Sequence, residues 1–509
     1  MLRPETRALA GKRTDNPELT PVASSPWEGS RTYEAVLRTH IGMSSQQDIG
    51  VAYPTALEGG RRADLLAQAA LCACVVVYWS VLTLKILRLV PYYAGELKPI
   101  AQAGWLTMWT WIDYGHYYRY SPTGLLLVGF ADRHLLAPLL HIPFPSEEFA
   151  QAKRLIPFFI ASFALIALCT YRLCRLLNLG VLASFAAGMF IGLNKGFAYY
   201  FRFVSTIATS LLILYAISVL FFGIRYVRTR RPADLVGYYV SLALAVGAWE
   251  QWINLLVFLV SASIILIVRS GSGRSRPILV HGVLIPLLIG GIYVALHSRT
   301  FWQESSAVTE AQSVFSYPSA GLMIEDVAVN ASLHVASIVE PLLFPWPMLS
   351  QSVLQGYDIE VYNQYNRTYT PYSAIHYRGM GDWYAGLLFG LFLCATAYLA
   401  WYLSAREENP SPAVIGLLLT WAGFVMHLPI MYRTYFVLPG AASLLDYKHT
   451  LSILGASILV GWCTQKIVQH IRGRSLQVIF AVAVVSWLVY CNYAKVALTM
   501  QFRWGIFPW

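Results

Sequence analysis

The sequence predicts an all-α polytopic membrane protein of about eleven transmembrane helices, with two long loops on its outer face. Three observations lead to that expectation. Hydrophobic residues make up 57% of the chain and charged residues 12%, whereas a soluble domain is near half apolar and about a quarter charged. Mean hydropathy is +0.52. Apolar runs of spanning length recur along the chain, separated by short polar stretches rich in arginine.

Residues 1–62 are polar, rich in Pro, Ser, Thr and Arg, and without helical apolar periodicity, so a disordered cytoplasmic tail is expected there. There is no early apolar run of the kind a cleavable signal peptide needs. Spans are then expected near 66–88, 155–174, 180–198, 203–223, 235–251, 252–268, 278–297, 383–404, 412–430, 447–465 and 476–496. Each approaches the about twenty apolar residues that cross a bilayer. The fifth and sixth are nearly continuous, and the segment Trp249-Glu250-Gln251-Trp252 reads as a tight hairpin between them. The chain therefore divides into a seven-helix module over 63–297 with a first outer loop at 89–154, a large outer loop at 298–382, and further transmembrane helices over 383–509. No internal repeat is visible, and few charges or Gly/Pro breaks fall in mid-span, both of which count against an inverted-repeat transporter.

Orientation follows from the short loops. Arg172 and Arg175, then Arg225, Arg228, Arg230 and Arg231, then Arg269, Arg274 and Arg276, then Lys466, Arg472 and Arg474 fall on one side of an eleven-span chain. The positive-inside rule makes that side cytoplasmic, with Lys85 and Arg88 as the minority vote. The net charge of +11 is thereby a matter of orientation, and no nucleic-acid partner is expected. All seven cysteines lie in or at the ends of predicted spans and read as small apolar fillers, not as a disulfide framework or a metal site.

Chemistry concentrates in the outer segments. The first loop carries Asp113, His116 and Arg119 among tryptophans and tyrosines, then Asp132, Arg133 and His134 before Pro138. Charged groups at a membrane interface must be hydrated, paired or catalytic. Asp113, His116, Asp132 and His134 are the candidate catalytic residues. The bland alternatives are an ion pair of Asp113 with Arg119, and a helix cap formed by Asp132 and Arg133. Glu250, at the outer end of two apolar helices, is either a ligand-positioning carboxylate or a hydrated turn residue. The second loop sets Tyr365, His376 and Arg378 among many further tyrosines. Such aromatic faces with planar polar groups suit the apolar faces and hydroxyl rim of a sugar, and they also suit a cap packed against headgroups. Arg433 and Lys448 are cations where the positive-inside rule disfavours them. A lipid phosphate would explain both, since arginine pairs with phosphate bidentately; simple headgroup binding would too. Walker A, G-x-G-x-x-G, H-E-x-x-H and G-x-S-x-G motifs are absent.

These features together resemble the GT-C superfamily of membrane glycosyltransferases, which take sugars from polyprenyl-phosphate donors. The resemblance covers most of 64–496: the acidic, aromatic first loop (Asp113-Tyr-Gly-His116), the D-R-H-x-x-x-P element from Asp132 to Pro138, a seven-helix core ending at a large outer loop, and later spans with an outer arginine, Arg433. It implies inverting glycosyl transfer to a lipid, glycan or protein acceptor. Asp113 would act at the reacting centre, and Arg433 or Lys448 would hold the lipid phosphate. Many members carry paired acidic residues in the first loop, and here the second position is Tyr114. A phosphate leaving group is already stabilised, so no metal or other cofactor is required. Membrane lipids are the remaining expected partners, and a bacterial inner membrane with the site on its periplasmic face is the expected location. The rival expectations are an enzyme of the O-antigen polymerase or ligase type, and a lipid or solute transporter.

Overall fold

The computed structural model of the chain describes residues 57–86, 123–124, 127–139, 147–197, 207–249, 251–270, 272–301, 360–363, 368–371, 412–425, 428 and 450–504, with isolated positions between 320 and 342 and at 390 and 394. The chain forms two units, Met1–Arg61 and Arg62–Trp509, and the described residues belong almost wholly to the second. The elements, in chain order, are α1 (Leu57–Ile86), α2 (Leu127–Ala131), a π turn (Asp132–Leu136), α3 (Ala137–Leu139), α4 (Glu147–Leu176), α5 (Val181–Gly192), α6 (Ile207–Thr229) and α7 (Pro232–Val246). There follow α8 (Trp252–Ser270), α9 (Ser272–Leu279), a second π turn (Val280–Leu284), α10 (Ile285–Phe301), β1 (Glu360–Asn363), β2 (Thr368–Pro371), α11 (Pro412–Ala422), α12 (Thr450–His470) and α13 (Arg474–Trp504).

The described residues are predominantly helical, as an all-α class requires, with one short strand pair beside the helices. β1 and β2 pair antiparallel, Glu360 opposite Pro371 and Asn363 opposite Thr368. The segments E-V-Y-N and T-Y-T-P alternate β-branched and aromatic residues, which favour a pleated strand over a helix.

Not every expected span among the described residues is long enough to cross. Among the described residues, six helices are long and apolar enough to cross a membrane: Arg62–Thr83, Arg154–Leu176, Ile207–Thr229, Arg276–Ala295, Leu451–His470 and Arg474–Ala494. Val181–Phe197, Pro232–Val246, Trp252–Val268 and Pro412–Ala422 are apolar but shorter. The run expected over 383–404 lies outside the described residues, positions 390 and 394 apart. The shortness has local causes. The 12 residues of α5 rise only ~18 Å at 1.5 Å each, against a hydrocarbon core of ~30 Å. The helix stops where the Asn194 side chain accepts the Gly196 N–H at 2.9 Å, offering the backbone a local alternative to the helical ladder. α7 ends at Gly247, just before the expected hairpin.

Packing is set by small residues and a few amides. A Cβ on Gly455 of α12 would lie 2.4 Å from the Thr420 nitrogen and 2.5 Å from the Gly416 oxygen of α11. Only glycine permits that backbone approach, the usual device for seating helices where lipid gives no hydrophobic drive. Asn254 Nδ2 of α8 donates to the Gly423 carbonyl just past α11 at 2.8 Å. Phe163 and Phe197 stack at 4.4 Å, with Trp79 5.1 Å from Phe163, tying α1, α4 and the turn that follows α5.

The helix ends sort by charge. At one end Asp64 receives Arg175 at 3.0 Å and the Tyr171 hydroxyl at 2.6 Å, Arg228 donates to the Leu176 carbonyl, and the Gly180 N–H donates to Gln465. The starts of α1 and α5 and the ends of α4, α6 and α12 thus share an arginine-rich end. The opposite end holds the polar groups described next.

Candidate functional site

Short helices leave terminal carbonyls to be satisfied inside the protein, because hydrocarbon offers no donors. The structure supplies them from other segments. Trp79 Nε1 of α1 donates to the Gly192 carbonyl of α5 at 2.7 Å. Thr123, from the first loop, caps α7 twice: its N–H donates to the Gly247 carbonyl at 3.1 Å and its hydroxyl to the Leu244 carbonyl at 2.6 Å. The Tyr215 hydroxyl of α6 in turn donates to the Thr123 carbonyl at 3.2 Å. The first loop is therefore fastened onto the α6–α7 hairpin just upstream of the D-R-H-x-x-x-P element.

That element is fastened a second time. Asp132 opens the first π turn, and both of its oxygens meet the Arg154 guanidinium: Nε to Oδ1 at 2.9 Å and Nη2 to Oδ2 at 3.0 Å. The side chains are 3% and 5% exposed. This bidentate fork is the strong form of the arginine–carboxylate pair. Loss of one partner of such a buried pair costs about 3–5 kcal/mol, because the other charge stays buried. The capping alternative for Asp132 is replaced by this contact, for Ala131 before it is already helical and the carboxylate turns to α4. His134 is exposed, as are Leu135 and Leu139 on the same short element.

Further buried polar groups collect at the same end. Lys195 is 4% exposed, and its backbone N–H donates to Asn492 Oδ1 of α13 at 3.2 Å. Asn492 anchors itself by donating to the Leu488 carbonyl at 2.9 Å. Asn194, Gln251 and Asn254 are each at most 2% exposed. His334 stacks on Phe424 at 4.1 Å and, facing a carbonyl that can only accept, donates from Nε2 to Thr420 at 3.1 Å. Burial pushes its imidazole down to about 3, against a smaller upward pull from that hydrogen bond.

Of the residues singled out from sequence, Asp132 and His134 lie on this element, two residues apart. Asp113, His116, Glu250, Tyr365, His376, Arg378, Arg433 and Lys448 lie outside the described residues. Arg154, Lys195, Asn254 and His334 were not singled out. The signal for two of them was present: ionisable groups inside or at the edge of an apolar run mark functional or paired positions. Among the described residues, no group of three or more His, Cys, Asp or Glu could hold a metal ion.

The fold and these buried ions define a polytopic, predominantly helical integral membrane protein. No family model matches the chain, and no curated protein matches it in sequence. Two solved structures are similar. One is the archaeal oligosaccharyltransferase AglB from Archaeoglobus fulgidus in complex with an inhibitory peptide and a dolichol-phosphate, with a TM-score of 0.45 and 13% identity, over 85% of this chain and 55% of that one. The other is the Archaeoglobus fulgidus oligosaccharyltransferase in its apo form, with a TM-score of 0.43 and 12% identity, over 84% of this chain and 55% of that one. This chain thus spans about half the length of either, 55%.

Proposed function

We propose that this chain is a GT-C-type glycosyltransferase that moves a sugar from a polyprenyl-phosphate donor to a lipid, glycan or protein acceptor at the outer face of a membrane. The observation that carries the proposal is the buried Asp132–Arg154 fork, which fastens the D-R-H-x-x-x-P element of the first loop to the end of the bundle opposite the arginines. Burying two ions in a lipid-solvated protein is expensive, and such groups are kept where they serve a site.

In this reading Asp113 takes the proton of the acceptor hydroxyl. The acceptor oxygen attacks the anomeric carbon as the bond to the phosphate oxygen breaks, and polyprenyl phosphate departs. Arg433 or Lys448 holds the phosphate, while Tyr365, His376, Arg378 and Glu250 contact sugar or acceptor. His116 and His134 flank the two carboxylates. Asp132 acts through position, since both of its oxygens are engaged by Arg154. General-base catalysis of this kind supplies about 10²–10⁴-fold, and positioning supplies much of the rest.

The test is transfer from a panel of polyprenyl-phosphate-linked sugars by the reconstituted chain. Asp113→Asn should lower turnover about 10²-fold or more and leave donor binding largely intact. A chain that transfers glycan at the wild-type rate with Asn at position 113, yet fails when loop arginines are removed, would be a polymerase-type enzyme instead.

A further inference from the structure

We infer that the arginine-rich end carries a binding site for the headgroup of an anionic phospholipid, built on the α6–α7 turn and the second π turn. It is separate from glycosyl transfer and does not depend on it.

The turn carries four arginines, and two of them are engaged within the protein. Arg225 pairs with Asp234 Oδ1 at 3.2 Å, and the other carboxylate oxygen of Asp234 accepts the Thr229 hydroxyl at 2.8 Å. Arg228 donates to the Leu176 carbonyl at 2.6 Å. Arg230 and Arg231 are exposed, and no carboxylate pairs with either among the described residues. Arg230 has its guanidinium over the Tyr226 ring, 5.7 Å from the centroid. The edge of the same cluster is an imidazole: His281 meets Tyr226 at 5.8 Å and 85°. His281 is held in place by two tyrosines of α7, Tyr239 hydrogen-bonding Nδ1 and Tyr238 donating to the His281 carbonyl at 3.1 Å. A cation and an imidazole thus flank one aromatic ring, with the tyrosine and the imidazole half-buried where α6, α7 and the π turn meet.

The surface beside these residues is the second observation. Val236 and Val240 of α7 are 60% and 53% exposed, and Leu284, three residues after His281, is 52% exposed. Charged and amphipathic groups at one level, with bare aliphatic groups extending from it, match the two parts of a phospholipid and not a free phosphate. Tyrosine rings belong at headgroup depth, and basic pockets between helices at the cytoplasmic side recruit acidic headgroups. The excess of arginine over the single, already neutralised Asp234 fixes the sign of the ligand.

The full chain is to be incorporated into nanodiscs of phosphatidylcholine with graded phosphatidylglycerol, and bound lipid counted by native mass spectrometry after release. The double variant Arg230→Gln, Arg231→Gln should bind phosphatidylglycerol at least about ten-fold more weakly, at roughly five-fold per arginine removed near the surface. Tyr226→Leu should weaken it as well, while phosphatidylcholine retention stays unchanged. The control is Arg472→Gln, Arg474→Gln, which removes equal charge from another turn at the same end. Equal loss in the control would mean diffuse attraction without a site and would overturn the inference. So would full displacement by millimolar inorganic phosphate, which would make the ligand a soluble anion.

Discussion

The Asp132–Arg154 fork makes the sharpest quantitative demand. Asp132→Asn keeps the shape and one acceptor but leaves Arg154 charged at 5% side-chain exposure. Breaking a buried pair from one side costs about 3–5 kcal/mol, a large part of the about 5–15 kcal/mol that holds a typical domain. Arg154→Met should cost a comparable amount by leaving Asp132 unmatched. The double variant Asp132→Asn, Arg154→Met removes both charges, so its loss should fall well below the sum of the two. A coupling energy of about 2–3 kcal/mol is expected, within the range that contacting residues show. The assay is reversible unfolding in detergent, followed by tryptophan fluorescence, on the four members of the cycle. The exchanged pair Asp132→Arg, Arg154→Asp should recover part of the stability, because a fork still forms. Single variants within about 0.5 kcal/mol of the parent, or strict additivity, would refute the reasoning and remove the anchor from the first loop.

Three other outcomes follow from particular contacts. His334 is held down to about 3 by burial and titrates near 6.5 when exposed. The unfolded chain therefore binds the proton first, and stability that is complete above pH 6.5 is lost as pH falls toward 3, about 2 kcal/mol of it by pH 5. Unfolding followed against pH should show that slope, and His334→Phe, which keeps the stack on Phe424, should flatten it. Gly290→Ala places a Cβ 2.7 Å from the Trp252 ring and should cost roughly 1–3 kcal/mol by overpacking. Gly291→Ala, with nothing within 4 Å, should be neutral or stabilising by up to about 1 kcal/mol of helix propensity, so thermal melts of the two neighbours should diverge. Trp79→Phe removes the donor to the Gly192 carbonyl and should cost about 1–3 kcal/mol for the orphaned acceptor, read by the same melts.

Composition and apolar runs made the helical membrane class legible, because lipid imposes length and polarity on every spanning segment. Helix length was less legible. The run at 180–198 reads as one span on hydropathy alone, yet Asn194 ends α5 by a side-chain contact that no window average registers. The strand pair of Glu360–Asn363 with Thr368–Pro371 carries a weak signal for a related reason, since each strand is only four residues long in a loop whose aromatics suit sugar recognition equally well. The site was half visible. Asp132 stands out as a charge in an aromatic loop, but its partner does not, because the apolar run begins at 155, one residue beyond Arg154. Lys195 sits inside the span expected at 180–198, where the flanking apolar residues outweigh it.

Both cations are buried, and that bears on function. A hydropathy reading treats a charge at the edge of a span as the place where the membrane ends. In this structure Lys195 follows the short α5 and Arg154 lies inside the 30-residue α4, and both are buried within the protein, not hydrated. Trp79, Thr123 and Asn492 then supply donors and acceptors to helix ends that water would otherwise reach. Those same contacts tie the first loop and α13 to the end of the bundle where Arg154 and Lys195 lie. Shortening α5 and α7 thus couples two things that a row of full-length helices would keep apart: an interior able to hold ions, and a loop held firmly enough to present a carboxylate to it. Extending α5 by replacing Asn194 with leucine would remove the local stop, and its expected consequence is loss of the Lys195 to Asn492 contact before any loss of helix content.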